Sequence, residues 1–171
     1  MPASNTVPDI VAPGLRVLFC GINPGLMSAA TGHHFAKPGN RFWTTLHRAG
    51  FTPRVFRPDE EALLLPLGYG LTKFIHRATR AASELTDDEY VAGGRRIRRM
   101  VLRYRPTVLA SVGIEAHRRA FLQPKAAVGL QAEKIGDTVL WVLPNPSGLN
   151  AHYKPQDFVR VFAELRAYID P

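Results

Sequence analysis

The chain has 171 residues, of which 46% are hydrophobic and 21% charged, a length and balance that suit one folded core and exclude a disordered or collagen-like chain. No apolar run approaches the roughly 18 residues of a membrane-spanning helix, so neither a membrane nor a lipid phase is an expected partner. The 22 Lys and Arg against 14 Asp and Glu give a net charge of +8 and a pI near 10.1, which favours a polyanion such as nucleic acid as partner.

In chain order, the opening MPASNTVPDI has neither a basic start nor an apolar core, so a secretory leader is not expected and the cytosol or nucleoid is the default location. Residues 1–8 read as a flexible tail on a single domain spanning 1–171, with a monomer as the default state. Residues 15–20, LRVLFC, form a continuous apolar run between Gly14 and Gly21, the pattern of a strand buried on both faces. That run holds Cys20, the lone cysteine, which excludes an internal disulfide and any cysteine-built metal site and reads as a small core residue. From Asn40 to Ala49 the period is helical, with Phe42, Trp43, Leu46 and Ala49 on one inward face.

Thr86-Asp87-Asp88-Glu89 has capping-box spacing and opens a helix carrying Ile97, Met100, Val101 and Tyr104. The same helix bears Arg95, Arg96, Arg98, Arg99, Arg103 and Arg105, a run whose composition fits phosphate binding and a solvated face equally. Residues 107–112 and 138–144 repeat the apolar strand pattern, and 114–122 and 156–169 read as helices, the last with Phe158, Phe162, Leu165 and Ile169 at helical intervals. Alternating strands and helices predict an α/β fold, a three-layer sandwich with a mainly parallel central sheet flanked by helices.

Ligands of such sheets bind beyond the carboxyl ends of strands, which singles out the loops INPGLMSAATGHHF and PNPSGLNAHY. Both carry Asn-Pro followed closely by Gly, at Asn23-Pro24-Gly25 and Asn145-Pro146-Ser147-Gly148. Such sequences are ordinary turn formers, but proline also holds the preceding residue extended, so each Asn side chain stands out at a strand end. An amide offers one acceptor and two donors without useful proton affinity. Asn23 can therefore hold a water or a substrate edge but cannot deprotonate either. That favours a reaction whose leaving group departs largely on its own, and hydrolysis of an N-glycosidic bond fits, because charge develops on an oxocarbenium sugar and on the departing base. No Ser, His and Asp relay, no HExxH and no Cys/His cluster is recognisable, so neither a metal nor an organic cofactor is expected. His33 and His34 read as exposed loop residues that meet phosphate, and Lys73 as a lysine that reaches a phosphate or simply stays solvated.

Taken together, GINPG at 21–25, HHFAKPGNRFW at 33–43, GYGLTK at 68–73, ASELTDDEYVAGGRR at 82–96 and NPSGLN at 145–150 resemble the mismatch-specific uracil/thymine-DNA glycosylases (Mug/TDG) of the uracil-DNA glycosylase superfamily, over nearly the whole chain from about residue 9. The resemblance implies the uracil-DNA glycosylase fold, no cofactor, duplex DNA with U:G or related mismatches as partner, and excision of a flipped base to leave an abasic site in base excision repair. It assigns Asn23 to holding the hydrolytic water, Phe35 to stacking on the flipped base, and Ile22, Gly25 and Ser28 to lining the base pocket. Asn145, the second catalytic candidate, would contact the flipped nucleotide or support the site's hydrogen bonding, and Gly148, Leu149 and Asn150 would enter the duplex with Leu149 as the apolar wedge.

The chain departs from relatives that carry Arg after the wedge, having Ala151 and then His152, which either weakens the opposite-strand grip or passes it to His152. The His33-His34 pair makes the approach to the pocket more polar, so the choice among uracil, thymine and ethenocytosine is not fixed by the resemblance. Asp87 and Asp88 are candidates to assist the water held by Asn23, or merely complement the dipole of the helix they open. A non-catalytic reader of mismatched or damaged DNA and a hydrolase of free nucleotides are the alternative functions.

Overall fold

Successive side chains of a strand point to opposite faces of its sheet, so a strand apolar throughout must be covered on both sides. In the computed structural model, which describes residues 7–147 and 152–170, the strands are β1 (Val17–Gly21), β2 (Tyr69–Lys73), β3 (Val108–Val112), β4 (Gly129–Ile135) and β5 (Thr138–Leu143). They form one sheet in the order β2-β1-β3-β5-β4, parallel except for β4, which pairs antiparallel with β5. Val17 and Phe19, Val108 and Ala110, and Trp141 and Leu143 point to one face. Leu18 and Cys20, Leu109, and Leu140 point to the other, as a period of two requires.

Each face is covered by helices, giving the expected three layers. Helices α2 (Phe42–Arg48) and α5 (Pro155–Ile169) close the first face with Phe42, Trp43, Leu46, Val161, Phe162 and Leu165. Helices α3 (Asp87–Tyr104) and α4 (Ile114–Ala120) close the second with Tyr90, Ile97, Val101, Ala116 and Ala120. A short α1 (Leu26–Thr31) follows β1 directly. No helix among the described residues is long and apolar enough to cross a membrane.

The expected strands at 15–20, 107–112 and 138–144 are β1, β3 and β5, within two residues at each end. The expected capping box opens α3, with Thr86 Oγ1 accepting from the Glu89 N–H at 3.2 Å and Glu89 accepting from the Thr86 N–H at 3.1 Å. Strands β2 and β4 carry no such sequence pattern. In β2, Gly68 just before the strand, Gly70 within it and a buried lysine hide a strand whose five residues are all buried. β4 is an edge strand in which Leu130, Ala132, Glu133 and Lys134 are all exposed, with a bulge between Leu130 and Lys134. The helix expected over 114–122 stops at Ala120, because Leu122 takes a positive φ of 55°.

The chain leaves β1 toward β2 on one side and returns to β3 on the other, so the sheet's switch point lies between β1 and β3, where such sheets open a crevice at the strand ends. The face behind that crevice depends on close backbone approach at Gly93 and Gly94. A Cβ at Gly93 would stand 2.3 Å from the Phe74 carbonyl oxygen, and one at Gly94 would stand 2.1 Å from that of Ala120. Gly94→Ala should therefore destabilise the fold by about 1–3 kcal/mol despite alanine's better helix propensity, read as a lower denaturant midpoint. An unchanged midpoint would contradict this account of α3 against α4.

Candidate active site

β1 ends at Gly21, and the next residues, Ile22-Asn23-Pro24-Gly25, form the rim of a cavity of about 730 Å³ at the switch point. The far wall comes from the ends of β3 and β5, with Val112, Gly113, Pro144 and Asn145. Of the residues expected to form a site, Ile22, Asn23, Gly25, Ser28, Phe35, Asn145 and His152 all line this one cavity. Gly148, Leu149 and Asn150, the expected wedge segment, lie outside the described residues. The two loops are tied together by the Arg41 N–H, which donates to the Pro146 carbonyl at 2.9 Å.

Asn23 is fixed by the hydrogens of its amide. Its Nδ2 donates to the Arg77 carbonyl and to Thr79 Oγ1, both at 2.8 Å, with a longer approach of 3.3 Å to the Pro24 carbonyl. A carbonyl can only accept, and the Thr79 hydroxyl spends its own hydrogen on the Ala81 carbonyl at 2.9 Å. The amide can therefore sit only one way round. Both donors are committed, and Oδ1 is left as an acceptor to which no described residue donates. The Thr79 N–H also donates to the Pro24 carbonyl at 3.1 Å, so the segment after β2 braces the loop after β1. Thr79 and the Arg77 carbonyl are not legible in the sequence as site elements, since RAT in a loop carries no pattern.

Phe35 forms a wall. Its ring stacks on Phe42 at 4.0 Å with 20° between planes, and a Cβ at Gly21 would come within 3.3 Å of its Cζ, so the glycine lets the ring lie against the end of β1. Phe35 takes a φ of 52°, an uncommon backbone for a non-glycine residue. The Ser28 hydroxyl holds this turn by accepting from the Ala36 N–H at 3.1 Å, which leaves its own hydrogen to donate.

The other hold on the turn is Glu61. This carboxylate, buried in the 3-10 segment Pro58–Leu67, accepts from His33 Nδ1 at 2.6 Å, His34 Nδ1 at 2.7 Å and the His34 N–H at 3.0 Å. Burial alone would raise the Glu61 pKa, but the hydrogen bonds from the two histidines outweigh it and leave the group below its usual range. The expectation of His33 and His34 as exposed phosphate ligands is thereby corrected: His34 is 4% exposed, and both rings are committed to one carboxylate. Glu61 is hidden in the acidic stretch PDEEALLLPL, although Glu61 and Leu64 are its two buried residues, three apart and so eclipsed on one face of a 3-10 helix.

Lys73 is corrected in the same way. It is buried, with Nζ donating to the Val7 carbonyl and, at 3.1 Å, to Asp9 Oδ1, while Thr72 Oγ1 donates to the same oxygen at 2.9 Å. Burial pushes its pKa down against the pull of Asp9. It lines the cavity as part of a closed pair and is not a cation free for phosphate. Asp87 and Asp88 are exposed on the first turn of α3 and do not line the cavity, Asp87 being paired with Arg119 at 2.8 Å. Neither stands where it could assist a water at Asn23. Glu115 is the one acid among the described lining residues, paired with Arg118 at 2.7 Å. The exposed cations Lys37 and Arg80 also line the cavity, and sequence reasoning missed both. Among the described residues, no group of His, Cys, Asp or Glu is placed to hold a metal ion.

Because the Glu61 pKa lies below its unfolded value near 4.5, its contribution to stability is present above that pH and is lost as pH falls through the folded pKa. Glu61→Gln should therefore be less stable than the parent chain near neutrality, with the gap closing below pH 4.5. A gap that widens on acidification would contradict the assignment.

Comparison with known proteins gives the arrangement its context. The sequence profile of the uracil DNA glycosylase superfamily matches residues 8–166. A solution NMR structure from Methanosarcina acetivorans, of a protein whose assignment as a uracil DNA glycosylase is provisional, superposes with a TM-score of 0.61 at 17% identity, covering 95% of this chain and 98% of that one. The two chains share the α/β fold. With a matching profile along nearly its whole length and Asn23 at the mouth of a switch-point cavity, the chain belongs to the uracil DNA glycosylase superfamily.

Proposed function

We propose that this chain is a monofunctional, mismatch-specific DNA glycosylase of the Mug/TDG branch, hydrolysing the N-glycosidic bond of uracil, and of thymine or ethenocytosine as further substrates, flipped out opposite guanine. The observation that carries the reading is the Asn23 amide at the cavity rim, pinned through both donors while no described residue donates to its acceptor. Support for the branch comes from the motifs GINPG, HHFAKPGNRFW and NPSGLN, and support for a DNA substrate from the net charge of +8 and the cations at the mouth.

In this mechanism the flipped base enters the cavity and stacks on the open face of Phe35, whose other face rests on Phe42. Ile22, Gly25, Ser28 and Asn145 contact the nucleotide. The C1′–N bond breaks with its electron pair going to the base, which takes a proton from solvent. A water held by its hydrogen to Asn23 Oδ1 presents a lone pair to the cationic C1′ and loses its proton to solvent once the C–O bond has formed. The amide orients and does not act as a base, which is sufficient because the oxocarbenium is a strong electrophile. Lys73 is held by Asp9 and the Val7 carbonyl and is not offered for a Schiff base, and in this reading hydrolysis ends at the abasic site.

Leu149, with Gly148 and Asn150, fills the gap left by the flipped nucleotide, and His152 contacts the opposite strand. A mismatched uracil needs less unpairing than one opposite adenine, so U:G should be excised faster than U:A, and Leu149→Ala should slow U:A more than U:G. In single-turnover assays on a U:G duplex, Asn23→Ala should lose roughly a hundredfold in rate, the equivalent of about 3 kcal/mol of transition-state stabilisation. Full activity in that variant would sink the assignment of Asn23. Binding of the mismatch by the parent chain with no abasic product would make it a reader instead, and turnover of free deoxyuridine nucleotides would make it a nucleotide hydrolase.

A further inference from the structure

The positive charge of this chain is concentrated on one helix face. Arg95, Arg98, Arg99 and Arg103 on α3, with Arg105 at its end, are all exposed, and no carboxylate pairs with any of them among the described residues. Elsewhere the exposed arginines Arg54, Arg57, Arg77 and Arg160 each face an acid, while Arg48 and Arg80 stand singly. No Asp or Glu occurs between Glu89 and Glu115. Arg95 and Arg99, and Arg99 and Arg103, are four residues apart on the helix, a spacing at which like charges repel and destabilise it. A face selected only for solubility would interleave acids along the helix.

The stripe does not belong to the cavity mouth. Tyr90, near the start of α3, lines the cavity, whereas Tyr104, at its end, accepts through its carbonyl from the Gly14 N–H at 2.8 Å, beside the start of β1. The helix thus runs from the carboxyl edge of the sheet to the opposite edge, and a straight duplex lying across the mouth would not follow it down the flank. At 1.5 Å per residue, Arg95 to Arg103 spans about 12 Å, against which duplex DNA presents about one negative charge per 1.7 Å.

We propose that this arginine stripe is a second polyanion site that takes a second segment of duplex DNA while the cavity mouth holds the first, so that the protein passes directly from one duplex to another. Duplex DNA is favoured over an acidic protein because the stripe offers guanidinium groups, which match phosphate in bidentate geometry, and Leu102 is the one large exposed hydrophobic on α3 itself. A protein interface would need an apolar centre. The inference rests on the DNA-binding part of the proposed function.

The test is the dissociation of a fluorescent undamaged duplex, followed by stopped flow against rising concentrations of an unlabelled undamaged duplex. In the parent chain the dissociation rate should climb with competitor concentration. In Arg95→Gln/Arg99→Gln/Arg103→Gln it should be flat, the equilibrium salt dependence should be shallower by about 0.9 for each phosphate no longer neutralised, and the melting temperature should be unchanged or higher, because the repulsion is relieved. Single-turnover excision at saturating U:G duplex should be the same in both chains. A rate flat in the parent chain, or equally steep in the variant, overturns the proposal. Acceleration by poly-glutamate but not by duplex also overturns it and assigns the stripe to an acidic protein. If neither chain excises uracil, the glycosylase reading fails while the competitor series still decides the stripe.

Discussion

The two hydrogens of the Asn23 amide are the constraint on which the site depends. They are taken by the Arg77 carbonyl and the Thr79 hydroxyl at 2.8 Å each, and because neither partner can accept a flipped amide there, the orientation of Oδ1 follows from hydrogen-bond polarity alone. An amide free to rotate would offer water a donor half the time and an acceptor the other half. Here it offers an acceptor always, and that is the chemistry required to turn a water's lone pair toward an electrophilic carbon without removing its proton.

The rest of the architecture converges on keeping that amide and the base it serves in register. The switch between β1 and β3 opens the cavity, Gly21 lets Phe35 lie against the end of β1, and Glu61 gathers three hydrogen bonds from the His33-His34 turn to hold the ring in place. A buried carboxylate is costly unless it is satisfied, so Glu61 makes the turn all-or-none: either both histidines are docked or the carboxylate is stranded. The Ser28 hydroxyl secures the same turn from α1. The base wall is therefore as preorganised as the water-holder, which is where a site without a general base must gain its rate.

How much of this is legible in the sequence follows from physical scale. β1, β3 and β5 are buried on both faces, and continuous apolar runs announce them. β2 and β4 stay hidden because glycine, lysine and an exposed edge break the pattern that burial normally writes. Asn23, Phe35 and Asn145 can be named because a strand end, an Asn-Pro turn and a family resemblance coincide on them, and all three line one cavity. The partners of Asn23 cannot, since a backbone carbonyl at Arg77 leaves no mark in composition. By charge alone Lys73, His33 and His34 resemble phosphate ligands, but the acids that neutralise them, Asp9 and Glu61, stand far away in the chain, and such pairing is written only in the fold. The exposed arginines of α3 are different: no Asp or Glu occurs between Glu89 and Glu115, and among the described residues no carboxylate forms an ion pair with them.

The central claim is that Thr79 acts through Asn23, and a double-mutant cycle on single-turnover excision of a U:G duplex tests it most directly. Thr79→Val removes the hydroxyl while keeping the shape, and should slow the parent chain by roughly tenfold, as expected for the removal of one hydrogen bond. In the Asn23→Ala background the same change should have almost no effect, since the amide it orients is gone. If Thr79→Val slows both backgrounds by the same factor, Thr79 serves the reaction independently of Asn23, and the account of a pinned amide is wrong.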